Sequence, residues 1–238
     1  VRLTDLNSEA NYSRTVSFSA MRFTYLRPAP EPINLPLILN HRAPPLPPAV
    51  VITQGQAFDR CLLPNLAQMQ TWWNASPYQA YGLYLGGISY AEGCTLPTRA
   101  WVASASQQGW QFMPIWVGPQ APCYGYKHPM SYDPVVAYQQ GREEAVLAST
   151  AAFNLGLSRP DLGGTLIYYN LEAYGSTPTT ACQNAVEAFI NGWTERLHEL
   201  GNSAGVYAAA CASHPTDLAT LPNTPEYLWG ASWYATSY

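Results

Sequence analysis

The chain has 238 residues, of which 47% are hydrophobic and 11% charged, so it is long enough for one large core and too poor in charge for a disordered protein or a coiled coil. Eleven basic and fifteen acidic residues give a formal net charge of −4, and Lys127 is the single lysine, which argues against a nucleic-acid partner. No run of about 18 apolar residues is present, so we expect no membrane-spanning helix.

The first 53 residues differ from the rest of the chain in composition. Positions 15–25 are rich in β-branched and aromatic residues and predict one strand or a short hairpin. Positions 28–48 hold eight prolines, a density that excludes a helix and predicts an extended arm. We therefore divide the chain into an N-terminal strand segment with a Pro-rich arm at 1–53 and a β/α domain at 54–238.

From residue 54 onwards, short apolar segments alternate with helical stretches, which indicates parallel β/α units. The predicted strands are 54–59, 80–86, 111–118, 165–172, 204–208 and 227–233. No G-x-G-x-x-G or phosphate-binding loop follows any of them, which argues against a nucleotide or nicotinamide enzyme. The predicted fold is an α/β, TIM-like (β/α) barrel, incomplete at the C-terminus. Eight strands close such a barrel, so the rest would come from sequence after Tyr238, from the arm or from another subunit.

Two helices carry clear boundary signals. Asp133, followed by a proline, predicts the start of the first helix, and Gly156 predicts its end. Thr180 and Gln183 form a capping-box pattern that starts the second helix, which runs up to Gly201. The predicted buried stripes are Val135, Tyr138, Val146, Ala152 and Phe153 in the first helix and Val186, Phe189, Ile190, Trp193, Leu197 and Leu200 in the second.

Five cysteines are dispersed along the chain without a C-x-x-C pair, which favours disulfides over a zinc site. We expect two intrachain bridges and one remaining thiol, and the sequence leaves the pairing open. Together with the scarcity of lysine, the cysteines indicate a secreted or cell-surface protein. They are Cys61, Cys94, Cys123, Cys182 and Cys211.

The predicted strand ends carry acidic side chains. In a β/α barrel the active site lies at the carboxyl ends of the strands. Asp59 ends the first strand. In the fourth strand, period-two alternation sends Tyr168, Asn170 and Glu172 to one face, which we expect to face the barrel lumen, and the intervening apolar residues to the other.

Several motifs in a fixed order resemble a known family. They are FDRCLLP at 58–64, YLGG at 84–87, GW at 109–110, PIWVGPQAPC at 114–123, YYNLEAY at 168–174 and GVY at 205–207. Over roughly residues 54–238 the chain resembles a glycoside-hydrolase-like domain family of unknown function. That family is in turn similar to the Chalaropsis-type muramidases of glycoside hydrolase family 25.

The resemblance implies a secreted barrel that acts on or binds N-acetylated cell-envelope glycans, peptidoglycan-like polymers among them. It places the family's catalytic carboxylates on Asp59 and Glu172. The family's D-x-E pattern is N-L-E here, so Asn170 stands where a carboxylate is expected. Some substrate-assisted endo-N-acetylglucosaminidases similarly use Asn beside the catalytic Glu. In that chemistry Glu172 is the acid and Asn170 positions the sugar's acetamido group, while Asp59 either supplies negative charge or orients the attacking water.

Aromatic residues near the predicted strand ends are candidates for sugar binding, because a flat apolar ring packs well against a pyranose. We select Tyr84, Trp116, Tyr168, Tyr207 and Trp233 for this role. Trp101, Trp110 and Trp193 are expected to pack in the core instead. The four histidines lack partners at ligand spacing, so we expect neither a metal nor a cofactor.

A second interpretation belongs to a different class of protein. A barrel that has lost a key carboxylate can serve as a non-catalytic, cell-surface structural or glycan-binding protein. The Pro-rich arm fits this alternative, since an extended segment is suited to docking on a neighbouring copy and forming a homo-oligomer.

Overall fold

The computed structural model describes residues 55–158, 164–175, 178–209 and 217–231. Within these ranges the six predicted strands are present, with bounds that agree with the predicted ones to within two residues, and four helices separate the first five strands. The elements are β1 (Gln56–Asp59), α1 (Leu66–Ala75), β2 (Tyr78–Gly86), α2 (Arg99–Gln107), β3 (Gln111–Trp116), α3 (Pro134–Leu155), β4 (Leu166–Asn170), α4 (Thr180–Glu199), β5 (Ser203–Ala209) and β6 (Tyr227–Ala231).

The strands form one sheet in chain order, and each strand pairs in parallel with the next. The α/β class is thus confirmed, and the described strands build a six-stranded half-barrel. A full TIM-like barrel is not shown, since β1 and β6 are the two ends of the sheet among the described residues. The arm at 1–53, with its strand at 15–25, lies outside the described residues, and the domain boundary stays a prediction.

Each strand divides its side chains between a lumen face and a helix face. In β4, Tyr168 packs against Trp229 of β6 on the lumen face, with ring centroids 5.8 Å apart. The next residue, Tyr169, packs against Phe189 of α4 on the helix face, with centroids 5.0 Å apart. This alternation confirms the predicted facing of β4 and directs its polar residues into the lumen.

The two long helices, α3 and α4, pack closely against each other. A Cβ added to Gly141 of α3 would lie 2.0 Å from the Phe189 carbonyl oxygen, and one added to Gly192 of α4 would lie 2.1 Å from the Tyr138 carbonyl oxygen. Glycine is therefore required at both crossing points. The buried face of α3 consists of small residues: Ala137, Gly141, Ala145, Ala148 and Ala152.

The close packing of the helices overturns part of the stripe predicted for α3. Val135 and Phe153 are 78% and 51% exposed, and Val146 is also exposed. Hydrophobicity pointed to the larger side chains, whereas the short distance between the helix backbones admits only small ones. The stripe predicted for α4 is confirmed apart from Leu200, which follows the last helical residue and is exposed.

The helix boundaries follow from local capping. Asp133 accepts a hydrogen bond from the Val135 N–H at 2.9 Å, and Gly156 ends α3 with a φ of +81°. The cap of α4 is Thr179, whose hydroxyl oxygen accepts from the Cys182 N–H at 3.3 Å, so the predicted cap at Thr180 is wrong by one residue. Thr179 holds the capping role because it has extended backbone angles, while Thr180 is already helical.

Two disulfides join the loops at the carboxyl ends of the strands. Cys61, just after β1, pairs with Cys94, in the loop after β2, and Cys123, in the loop after β3, pairs with Cys182 in the first turn of α4. Both expected bridges are present, while Cys211 lies outside the described residues. None of the described helices combines the length and hydropathy needed to cross a lipid bilayer.

Candidate active site

The polar residues of the candidate site come from neighbouring strands of the half-barrel. Asp59 is the last residue of β1, Tyr84 lies near the end of β2, and Asn170 is the last residue of β4. Glu172 follows β4 directly, and Tyr207 lies in β5 opposite Asn170. Because the strands are parallel, these positions share the carboxyl edge of the sheet, where β/α barrels bind substrate.

Asp59 is fixed by the neighbouring strand. The Tyr84 hydroxyl donates a hydrogen bond to Asp59 Oδ2 at 2.6 Å. Gly82, the register partner of Asp59, leaves room for the carboxylate, since a Cβ there would lie 2.6 Å from Asp59 Cβ. Asp59 does not cap the following helix, because Asn65 accepts from the Gln68 N–H and is the cap of α1. Asp59 is therefore a residue of the carboxyl edge of the sheet and does not cap a helix.

Asn170 and Glu172 form a second polar pair at the same edge. The side-chain amide of Asn170 donates to Glu172 Oε1 at 2.9 Å. Between them, the Leu171 N–H donates to the Tyr207 carbonyl oxygen at 3.0 Å, which extends the pairing of β4 with β5 by one residue. The backbone is therefore extended through this segment, so the two polar side chains lie on one face.

Gln120, in the loop after β3, holds the Asn170–Glu172 segment in place. Its side chain is 2% exposed and bonds the backbone on both sides of Leu171. Gln120 Nε2 donates to the Asn170 carbonyl oxygen at 2.8 Å, and Gln120 Oε1 accepts from the Glu172 N–H at 2.9 Å. The sequence analysis did not select Gln120 as a site residue. The only signal was a polar residue next to Pro119 in the loop after a strand.

The charges of both carboxylates affect two partly buried tyrosines of the carboxyl edge, Tyr84 and Tyr207. Burial raises the pKa of Tyr84, and the negative charges of Asp59 and Glu172 raise it further. Burial likewise raises the pKa of Tyr207, again with contributions from Glu172 and Asp59. Both phenols therefore stay protonated at neutral pH, and the Tyr84 hydroxyl donates its hydrogen bond to Asp59.

Of the five aromatic residues predicted to bind sugar, one faces the helices, one is buried in the lumen and one lies outside the described residues. Trp116 points to the helix face, where its Nε1 donates to Glu144 Oε2 of α3 at 2.5 Å, which corrects its prediction as a residue of the mouth. Its neighbour Ile115 takes the lumen face instead. Tyr168 has the predicted facing but is buried under Trp229, and position 233 is not among the described residues.

A further tyrosine, absent from the predicted set, lies beside Glu172. The Tyr126 hydroxyl donates to the Ala173 carbonyl oxygen at 2.5 Å. Burial and the nearby Glu172 charge raise the pKa of Tyr126 to about 12. In the described part of the chain, no group of three or more His, Cys, Asp or Glu side chains is arranged to bind a metal ion.

The parallel strands carry acidic side chains at their carboxyl ends, which is the edge where β/α domains bind substrate. Comparison with family models assigns the class of this domain. The chain belongs to the family described as "Rv2525c-like, glycoside hydrolase-like domain", whose model matches residues 70–237. This match confirms the glycoside-hydrolase-like resemblance found in the sequence. The similarity to the family 25 muramidases stays a prediction.

Solved structures with low sequence identity resemble part of the chain. An uncharacterized B. stearothermophilus protein is 19% identical, with a TM-score of 0.47, and the match covers 67% of this chain and 63% of that one. A sugar phosphate isomerase/epimerase from Parabacteroides distasonis is 11% identical, with a TM-score of 0.44 and coverages of 66% and 53%. This chain thus spans less than two thirds of either protein.

The catalytic domain of an endolysin from a bacteriophage of Listeria monocytogenes is 12% identical, with a TM-score of 0.39, and the match covers 70% of this chain and 69% of that one. No curated protein matches the sequence significantly.

Proposed function

We propose that this domain cleaves N-acetylated glycans of a cell envelope, outside the cell, by substrate-assisted catalysis. The observation that carries the proposal is that two hydrogen-bonded pairs, Tyr84 with Asp59 and Asn170 with Glu172, lie at the carboxyl edge of one parallel sheet. Two carboxylates, an amide and two phenols in one neighbourhood are suited to binding and cleaving a sugar polymer. The two disulfides support an oxidising, extracellular setting.

In the first step Glu172 acts as the general acid. The acetamido carbonyl oxygen of the bound sugar attacks the anomeric carbon while the Glu172 carboxyl proton moves to the glycosidic oxygen. The bond between the anomeric carbon and that oxygen breaks, the leaving sugar departs as an alcohol, and a cyclic oxazolinium ion remains. General-acid assistance of this kind contributes about 10²–10⁴-fold to the rate.

Asn170 and Asp59 stabilise this intermediate in different ways. The side-chain amide N–H of Asn170 donates a hydrogen bond to Glu172. The side-chain carbonyl oxygen of Asn170 accepts a hydrogen bond from the acetamido N–H of the substrate. Asp59 supplies the negative charge that offsets the positive oxazolinium, and the Tyr84 hydroxyl holds the Asp59 carboxylate in place by its hydrogen bond. Asp59 therefore takes over the charge that Asn170 does not carry.

In the second step water completes the hydrolysis. A water molecule attacks the anomeric carbon, Glu172 takes the water proton, and the bond between the acetamido oxygen and the anomeric carbon breaks. The product keeps the anomeric configuration of the substrate, since the configuration is inverted twice. Tyr84 and Tyr207 line the site as sugar-binding residues.

The test is cleavage of two substrates, purified peptidoglycan and chitotetraose, measured by the release of reducing ends. We expect Glu172→Gln to lower the rate at least about 100-fold, because the acid is lost while the side-chain shape is kept. Glu143→Gln, which neutralises an exposed carboxylate on α3, is the matched control and retains full activity. Equal turnover by Glu172→Gln and the wild type would refute the assignment.

Asn170 favours a second candidate function, a non-catalytic glycan-binding or structural protein that assembles through its N-terminal arm. The replacement of a family carboxylate by an amide is the expected mark of lost catalysis. This alternative predicts glycan binding without turnover by the wild type. It also predicts that deleting residues 1–48 lowers the oligomeric state measured by light scattering. A monomer before and after deletion would contradict assembly through the arm.

A further inference from the structure

The loop between β3 and α3 brings two tyrosines to the candidate site. Tyr126 lies beside the acid, because its hydroxyl donates to the carbonyl oxygen of Ala173, the residue after Glu172, at 2.5 Å. The influence of the Glu172 charge on the pKa of Tyr126 supports the same proximity. Tyr126 therefore forms part of the surface next to the proposed cleavage point.

Tyr124 extends this surface outwards. Its ring centroid lies 5.6 Å from that of Tyr126, and the two ring planes are inclined by 39°. The side chain of Tyr124 is 58% exposed, so packing in the core does not account for it. The two rings together present an aromatic surface that leads from Glu172 towards solvent, and we name this pair the tyrosine wall.

Several bonds hold the loop that carries the tyrosine wall. Cys123, directly before Tyr124, is joined by a disulfide to Cys182 in α4. Within the loop, the Gln120 N–H donates to the His128 carbonyl oxygen at 2.8 Å. Lys127 Nζ lies 3.3 Å from Glu92 Oε1 in the loop after β2, which bridges the two loops. These contacts hold the backbone that carries the two rings, so binding costs little loop ordering.

We propose that the tyrosine wall binds a pyranose ring of an N-acetylated glycan, adjacent to the sugar unit that Glu172 and Asn170 hold. This inference rests on the proposed function and assigns a neighbouring subsite to it. One face of a pyranose ring carries mostly C–H groups, which pack against the face of a tyrosine, while the hydroxyl groups at the ring edge stay in water. Tyrosine suits this role because it offers a large rigid surface with few rotatable bonds.

The test measures binding in the Glu172→Gln background, where substrate is not consumed. Isothermal titration calorimetry with chitotetraose and with a tetrasaccharide of alternating N-acetylglucosamine and N-acetylmuramic acid gives the Kd. Adding Tyr124→Ala raises the Kd about tenfold, as expected for the loss of one aromatic contact, and Tyr124→Phe keeps it within about twofold. Phe153→Ala is the matched control, since Phe153 is a similarly exposed aromatic residue near the other end of α3.

The outcomes separate this inference from the proposed function. If Tyr124→Ala binds both tetrasaccharides as tightly as its parent while the wild type still cleaves glycan, the tyrosine wall is refuted and the proposed function stands. If the wild type cleaves neither substrate and no variant binds either tetrasaccharide, both proposals fail. A loss of affinity in Phe153→Ala equal to that in Tyr124→Ala would also overturn the inference, because the effect would then be general to exposed aromatic residues.

Discussion

Replacing Gln120 with alanine tests how the carboxyl edge of the half-barrel is held together. The Gln120 side chain is buried and takes part in three hydrogen bonds with the backbone. Gln120 Nε2 donates to the Gly118 carbonyl oxygen at 3.0 Å and to the Asn170 carbonyl oxygen at 2.8 Å, while Oε1 accepts from the Glu172 N–H at 2.9 Å. Each bond contributes about 1 kcal/mol net, so Gln120→Ala lowers the free energy of unfolding by about 3 kcal/mol.

The assay is urea denaturation followed by tryptophan fluorescence, with Gln108→Ala as the matched control. Gln108 is a partly buried glutamine whose side chain makes one backbone bond, from Nε2 to the Leu66 carbonyl oxygen at 3.0 Å. Its removal costs about 1 kcal/mol. Gln120→Glu is a second variant that separates the bonds by type. A carboxylate can still accept the hydrogen bond from the Glu172 N–H, but it cannot donate to the Gly118 and Asn170 carbonyl oxygens. We expect it to be at least as destabilising as Gln120→Ala at neutral pH.

A loss of stability in Gln120→Ala no larger than that in Gln108→Ala would refute this reasoning. The three bonds would then be replaced by water or by relaxation of the loop, and the Asn170–Glu172 segment would be ordered by β-sheet pairing alone. The result is independent of glycan cleavage, since it measures the free energy of unfolding.

Two further predictions concern the helices that cover the half-barrel. Gly141→Ala lowers the melting temperature by about 6–12 °C, because the added methyl group meets the Phe189 carbonyl oxygen and the helices must separate at a cost of about 3 kcal/mol. Calorimetry measures the effect, with Val135→Ala at an exposed position of the same helix as the control. Equal melting temperatures for the two variants would contradict the prediction. Burial raises the pKa of Glu144 although Trp116 donates to it. The Glu144 contribution to stability is therefore present below the usual carboxyl pKa and is lost as pH rises through the raised value. Glu144→Gln removes this titration, so its free energy of unfolding falls less between those two pKa values than that of the wild type. Urea titrations at several pH values measure this, and identical profiles for the two proteins would contradict it.

The features that local chemistry controls were predictable from the sequence. Asp133 and Gly156 bound α3 as predicted, because a cap needs only a short side chain or a permissive backbone within one turn. The facing of β4 was predictable for a similar reason. Asn170 and Glu172 are polar and their neighbours apolar, so period-two alternation fixes which side faces the lumen.

Where both faces of a strand are apolar, the same alternation does not indicate which face lies towards the lumen. In β3, Ile115 and Trp116 are both hydrophobic, and their proximity to the strand end suggested that Trp116 lines the mouth. The structure instead turns Trp116 to α3, where its indole N–H meets Glu144. A parallel strand buried on both sides has no polar residue to mark its lumen face, so only the packed neighbours decide the orientation.

The sequence by itself determined the order of the strands, the caps of α3, and the acidic and amide residues at the strand ends, because each depends on chemistry within a few neighbouring positions. Only the tertiary structure decided the disulfide partners, the small-residue face of α3 and the role of Gln120. These depend on atoms that are distant along the chain and adjacent in space. Pairing and close packing are properties of the folded backbone, which no local pattern encodes.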